Sequence, residues 1–144
     1  MENYNEYFRA QSKFGGRWLK GCGIYTQDNE IRILFLQQNF LRYEAIIPET
    51  VGQISSFSDK AHNRIYDGDI LQIDKYPFFD NEADKYNYYG IVFFEDGYFG
   101  VEAKRTAQTT VRGSSDGNCT YLQELDSNKI KIIGNIYENR NLLK

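Results

Sequence analysis

Residues that usually carry chemistry are scarce in this chain. One histidine, two cysteines, one methionine and two prolines occur in 144 residues. With His62 as the sole imidazole, any Ser-His-Asp or Cys-His scheme would have to use it, and no nucleophile elbow accompanies it. In its polar turn it reads as a solvated side chain. Cys22 and Cys119 are far apart and neither belongs to a CxxC pair, so both read as reduced, buried thiols. Gly113-Ser-Ser-Asp-Gly117 has neither the spacing nor the lysine of a phosphate loop. No apolar run approaches the ~20 residues that cross a bilayer. The first residues, Met1 to Glu6, lack a basic-then-apolar leader. A cytoplasmic setting without a membrane partner is the expectation. An excess of charge is missing too: residues 1–72 hold 8 basic and 9 acidic groups and residues 73–144 hold 9 and 11, for a net −3. That balance leaves no linear basic footprint for nucleic acid.

Aromatic residues are what the chain has in plenty. Its 12 Tyr and 10 Phe suit pleated, half-buried surfaces, so the composition leans towards β structure. The length is that of one domain with one core, spanning 1–144. Runs at Tyr7–Ala10, Arg17–Tyr25, Ile31–Leu36, Phe40–Ile47 and Lys129–Ile136 read as strands. Gly21 and Gly23 inside the second run point to a bulge or a close backbone approach. Asp96-Gly97 between two aromatic-rich runs, 88–95 and 98–104, is the strongest hairpin signal. Pro48 should begin a strand or sit on an edge, and Ser55 to Asn63 reads as a polar connection. Tyr121 to Leu125 fits a short helix or an edge strand. Residues 74–87 and 105–118 read as two inserted loops. The expected fold is mainly β: barrel-like antiparallel sheets with one or two short helices, α+β being the alternative.

The chain is organised around Arg64-Ile-Tyr-Asp-Gly-Asp-Ile-Leu-Gln-Ile73, where an acidic turn at Gly68 leads into apolar/polar alternation. Asp67 and Asp69 would point to one side of an alternating strand, and Glu95 could join them across a sheet. Such oxygen ligands suit Mg²⁺, Mn²⁺ or Ca²⁺. The simpler reading is that carboxylates at a turn accept backbone N–H bonds and hold the strand's start. An EF-hand is excluded, because the ligand spacing fails after Gly68 and position 78 is Phe. No metal or cofactor is assigned. The rings Tyr76, Phe78, Phe79, Tyr86, Tyr88 and Tyr89 leave three readings open: core filling, contact with another subunit, or stacking of single-stranded nucleic acid beside Lys104, Arg105 and Arg112. Asp80, Glu82 and Asp84 would repel phosphates and weaken the last.

Four blocks, in order along nearly the whole chain, resemble the YopX-like family of phages and bacterial prophage regions. The first is Phe8-Arg-Ala10 with Trp18. The second is Pro48-Glu-Thr-Val-Gly-Gln53 running into Asp59-Lys60 and Ile65-Tyr-Asp-Gly-Asp-Ile70. The third is Gly90-Ile-Val-Phe-Phe-Glu-Asp-Gly97, and the fourth Ile132-Ile-Gly-Asn-Ile-Tyr-Glu-Asn139 with Leu142-Leu143. The sequence departs from the pattern at Ser56, where Gly is usual, and at Gln11 and Arg140, where Trp and Pro are usual. Ala61-His-Asn63 replaces a common Asn-Gly turn. The resemblance implies a mainly β protein without an established biochemical role and brings no catalytic residues.

Together these readings point to a phage- or prophage-derived accessory protein that works by binding and self-associates. Its expected partners are a second copy of the chain or a phage or host protein. A small nucleic-acid-binding β-barrel and a divalent-metal-dependent hydrolase stand as alternatives. Candidate binding residues are Tyr66, Asp67, Asp69, Glu95 and Tyr137. Candidate interface residues are Tyr76, Phe78, Phe79, Tyr86 and Tyr88.

Overall fold

A computed structural model describes residues 6–73, 88–105 and 118–143. Strands dominate them, and each helical piece is a 3-10 turn of three or four residues. The chain is mainly β, and among the described residues the sheets are antiparallel and none closes into a barrel. It divides into two compact units, 1–54 and 55–144.

In the first unit, β1 (Phe8–Gln11) pairs antiparallel with β2 (Trp18–Gly21), from Phe8↔Gly21 to Gln11↔Trp18. A separate sheet joins β3 (Gly23–Gln27), β4 (Glu30–Gln37) and β5 (Phe40–Ala45) in that order. The single strand expected over Arg17–Tyr25 is therefore two, broken at Cys22. Gly21 explains the break: a Cβ there would run into the Leu34 carbonyl oxygen and come within 2.8 Å of Ile33 Cγ1. Backbone passes over backbone at that point, as the glycine pair suggested. Asp28-Asn29 and Gln38-Asn39 close the two hairpins with both residues of each pair at positive φ, the geometry a two-residue turn needs. Ala10, Leu19, Ile33 and Ile46 form the core, with Phe8, Ile24, Ile31, Phe35 and Val51 packed on it.

Pro48 opens a 3-10 turn, Pro48–Thr50, not a strand. Its ring presets a helical φ, and its missing N–H costs nothing at the first position of such a turn. The buried Thr50 hydroxyl then accepts from the Gln11 amide at 2.8 Å and donates to the Ile47 carbonyl. The following strand, β6 (Gly52–Ser58), carries the chain into the second unit. Its first residues pair with β1 at Arg9↔Gly52 and Phe8↔Gln53. Residues 55–58, read from sequence as a connection, belong to this strand. Their polarity misled, because Phe57 packs on the second core while the Ser55 hydroxyl is satisfied by the Phe57 backbone.

The second unit continues with β7 (Arg64–Tyr66) beside the end of β6, then β8 (Asp69–Ile73). β9 (Tyr88–Glu95) and β10 (Tyr98–Arg105) form the expected hairpin across Asp96-Gly97, with Glu95 opposite Tyr98. β11 (Asn118–Tyr121) and β12 (Ile130–Asn135) complete a five-stranded sheet of order β11-β10-β9-β8-β12. Tyr121 ends the edge strand and Leu122–Glu124 makes a 3-10 turn, so both readings of 121–125 are present in part. Ile65, Leu71, Ile73, Val92, Val101, Leu122, Leu125 and Ile130 form the core. Each such side chain contributes about 1.5–3 kcal/mol on burial. Gly90 is obligatory inside this sheet, since a Cβ would strike Val101 and lie 3.0 Å from Ile73 Cδ1.

Candidate functional site

Four of the five candidate binding residues meet at one turn. Asp67 and Gly68 do not continue a strand; they separate β7 from β8. Gly68 has φ +91°, and its amide donates to the Val92 carbonyl at 2.8 Å. The Tyr137 ring lies against it, with Cε2 3.0 Å from where a Cβ would sit. Asp69 is 1% exposed and its carboxylate accepts from the Tyr66 amide at 2.8 Å. Tyr66 is buried as well, and Asp67 and Tyr137 are half-buried. Of the four, Asp67 and Tyr137 keep part of their surface open to solvent, while Tyr66 and Asp69 do not. Asp69 does here what a turn carboxylate does: it satisfies a backbone donor and holds the start of β8.

Glu95 lies elsewhere, exposed at the end of the β9–β10 hairpin. Among the described residues no group of three or more His, Cys, Asp and Glu side chains is placed to hold a metal ion. Of the candidate interface rings, Tyr76, Phe78, Phe79 and Tyr86 lie outside the described residues. Tyr88 begins β9, opposite Ile73 of β8 and Arg105 of β10.

Sequence reasoning missed Asp59 as a residue with work to do. It is 3% exposed, and one carboxylate oxygen accepts from the amides of Ala61 at 3.0 Å and Asn63 at 2.9 Å. The other accepts from the Ile132 amide of β12 at 2.9 Å, 73 residues away in sequence. Burial is the largest influence and pushes its pKa up. The Ile132, Asn63 and Ala61 donors together outweigh it, and the carboxyl titrates below its usual value. The turn it caps holds His62 at φ +66°, a left-handed conformation where the family resemblance expects Asn-Gly. Only its place in the second sequence block marked Asp59 beforehand.

Among the described residues, two further surfaces bear on binding, one in each unit. In the first, Leu36 opposes Leu41 and Leu34 opposes Tyr43, so these four side chains share one face of the β3–β5 sheet. The opposite face carries the buried Ile33. Leu41 is 60% and Tyr43 62% exposed, and Phe40 at the hairpin's end is 67% exposed. The Arg32 guanidinium stands 5.1 Å from the Tyr43 ring centre. β5 is also an edge strand. Its backbone is taken up from Ala45 onward, where the carbonyl accepts from Lys13 and Ser12 bridges Ile46.

In the second unit, a cleft of about 720 Å³ opens on the outward face of β9, β10 and β11. Gly100 lies at its base, opposite Phe93 of β9 on one side and Tyr121 of β11 on the other. A Cβ on Gly100 would collide with the Phe93 ring. Tyr98 and Tyr121 stand with ring centres 5.7 Å apart. The carboxylates lining the cleft are Glu95, Asp96 and Glu124, and no Lys or Arg among the described residues joins them. Cys119, exposed where the sequence reading had it buried, also lines it; partial desolvation first, and then the Glu102 charge opposite, push its thiol up.

Comparison with known proteins places this β architecture. The family model described as YopX protein matches residues 7–144, and the chain belongs to that family. Its fold is similar to the crystal structure of protein yopX from Bacillus subtilis, with a TM-score of 0.59 and 18% identity over 97% of this chain and 99% of that one. No curated protein matches.

Proposed function

We propose that this YopX-family chain is a phage- or prophage-borne accessory protein that acts by binding, and that it self-associates through β5. The observation that carries this reading is the apolar edge strand, with Phe40, Leu41 and Tyr43 all more than half exposed. Long apolar edges pair with other strands unless blocked by charge, proline or a covering element. Antiparallel pairing of β5 with a second copy, centred on Tyr43, sets Arg42 opposite Glu44 of the other copy on both sides of the two-fold. Centring on Arg42 instead would set two guanidinium groups face to face. Glu44 already accepts from Arg17 of its own chain at 2.8 Å, so in the Tyr43-centred register each Glu44 carboxylate would stand between two guanidinium groups of an isologous contact. Free Cys22 and Cys119 fit the reducing cytoplasm of a bacterial host. Light scattering coupled to size exclusion at tens of micromolar tests the assembly. The wild type is expected to run as a dimer and Leu41→Lys/Tyr43→Lys as a monomer with its β spectrum intact. A strictly monomeric wild type sinks the proposal.

A further inference from the structure

We propose that the cleft over Gly100 is a recognition site for an arginine side chain carried on a basic segment of a partner protein. Three features converge. The Phe93 ring packs over Gly100 and floors the cleft, and Tyr98 and Tyr121 line it beside that floor. Glu95, Asp96 and Glu124 line the same space, with no described cation to neutralise them. Tyr98 and Tyr121 stand at a tilt of 57°, presenting two differently angled ring surfaces to one occupant.

Aromatic faces attract a cation placed within about 6 Å of the ring centre, and more strongly once water is excluded. A guanidinium is planar, stacks on rings and donates two parallel hydrogen bonds to a carboxylate, whereas an ammonium is a compact, strongly hydrated charge. A cleft that offers rings and carboxylates together matches the first better than the second. The same carboxylates repel phosphates, so nucleic acid does not suit this face. Gly100 leaves room for that floor: a side chain there would displace the Phe93 ring. The cleft belongs to the second unit and β5 to the first, so the two proposals rest on different residues.

The probe is a short fluorescein-labelled peptide with a central run of arginines, titrated by anisotropy into the full chain. Lysine and citrulline versions run alongside it. Saturable binding of the arginine peptide is expected, weakened about tenfold or more by citrulline, by Glu95→Gln/Glu124→Gln and by Tyr121→Ala. Melting curves of the variants check that these exposed positions leave the fold intact. Bound peptide should also slow iodoacetamide modification of Cys119, which lines the cleft. No binding at about 100 μM protein, or equal binding to the charge-neutral variant, overturns the site. Equal affinity for the lysine peptide overturns the arginine assignment, as does direct binding of a labelled single-stranded oligonucleotide that Tyr121→Ala weakens.

Discussion

Replacing Asp59 with alanine removes one carboxylate from three amides at once. Those of Ala61 and Asn63 lie in an exposed turn, where water can take over. The Ile132 amide is half-buried beside the core and keeps no such substitute. Hydrogen bonds to a charged acceptor contribute about 1.5–3 kcal/mol each, and less where solvent competes. The sum expected for Asp59→Ala is about 3 kcal/mol, or roughly a 10 °C fall in Tm for a chain of this length. Asp59→Asn keeps one acceptor oxygen and should lose about half of that. Urea unfolding followed by circular dichroism gives both values. The pH dependence has a definite sign. The carboxyl titrates lower in the folded chain than its ordinary value of 3.8, so its charged form is the one that folding favours. That stability is complete above the ordinary carboxylate range and drains away as pH falls through the depressed folded value. The gap between wild type and Asp59→Asn should hold steady from about pH 7 to 5 and close below about pH 4. An Asp59→Ala loss under about 0.5 kcal/mol, or a gap unchanged at pH 3, would refute the assignment of Asp59 as the clasp between its turn and β12.

Two backbone substitutions should move stability in opposite directions. Gly68→Ala places a Cβ against the Tyr137 ring at positive φ, and should cost about 1–2 kcal/mol in the same unfolding assay. His62→Gly relieves a left-handed residue that is exposed. It should raise stability by about 0.5–1 kcal/mol, and a loss would mean the imidazole has a structural role. The β5 and cleft variants described above complete the set, and they read out association and peptide binding rather than folding.

Much of the fold was legible one residue at a time. Aromatic and β-branched runs marked most strands, and Asp96-Gly97 marked its hairpin because few other pairs accept two positive φ angles. Gly21 signalled a close approach, since a glycine inside a strand run is otherwise a loss. The residues of the four blocks and their order identified the family. These features are local, and local chemistry determines them.

Tertiary structure decided the rest, where a residue's role depends on a neighbour far along the chain. Asp67 and Asp69 looked like a pair on one strand face, yet Gly68 turns the backbone between them and buries Asp69 on the Tyr66 amide. Residues 55–58 looked like a linker until Phe57 met a core assembled from β7 to β12. Asp59 was one acid among twenty until Ile132 arrived beside it. The cleft beside Gly100 depends on pairing that sets Phe93 and Tyr121 on either side of that residue and lays the Phe93 ring over it. Periodicity tells which face a side chain takes; only the register between strands tells what it will face there.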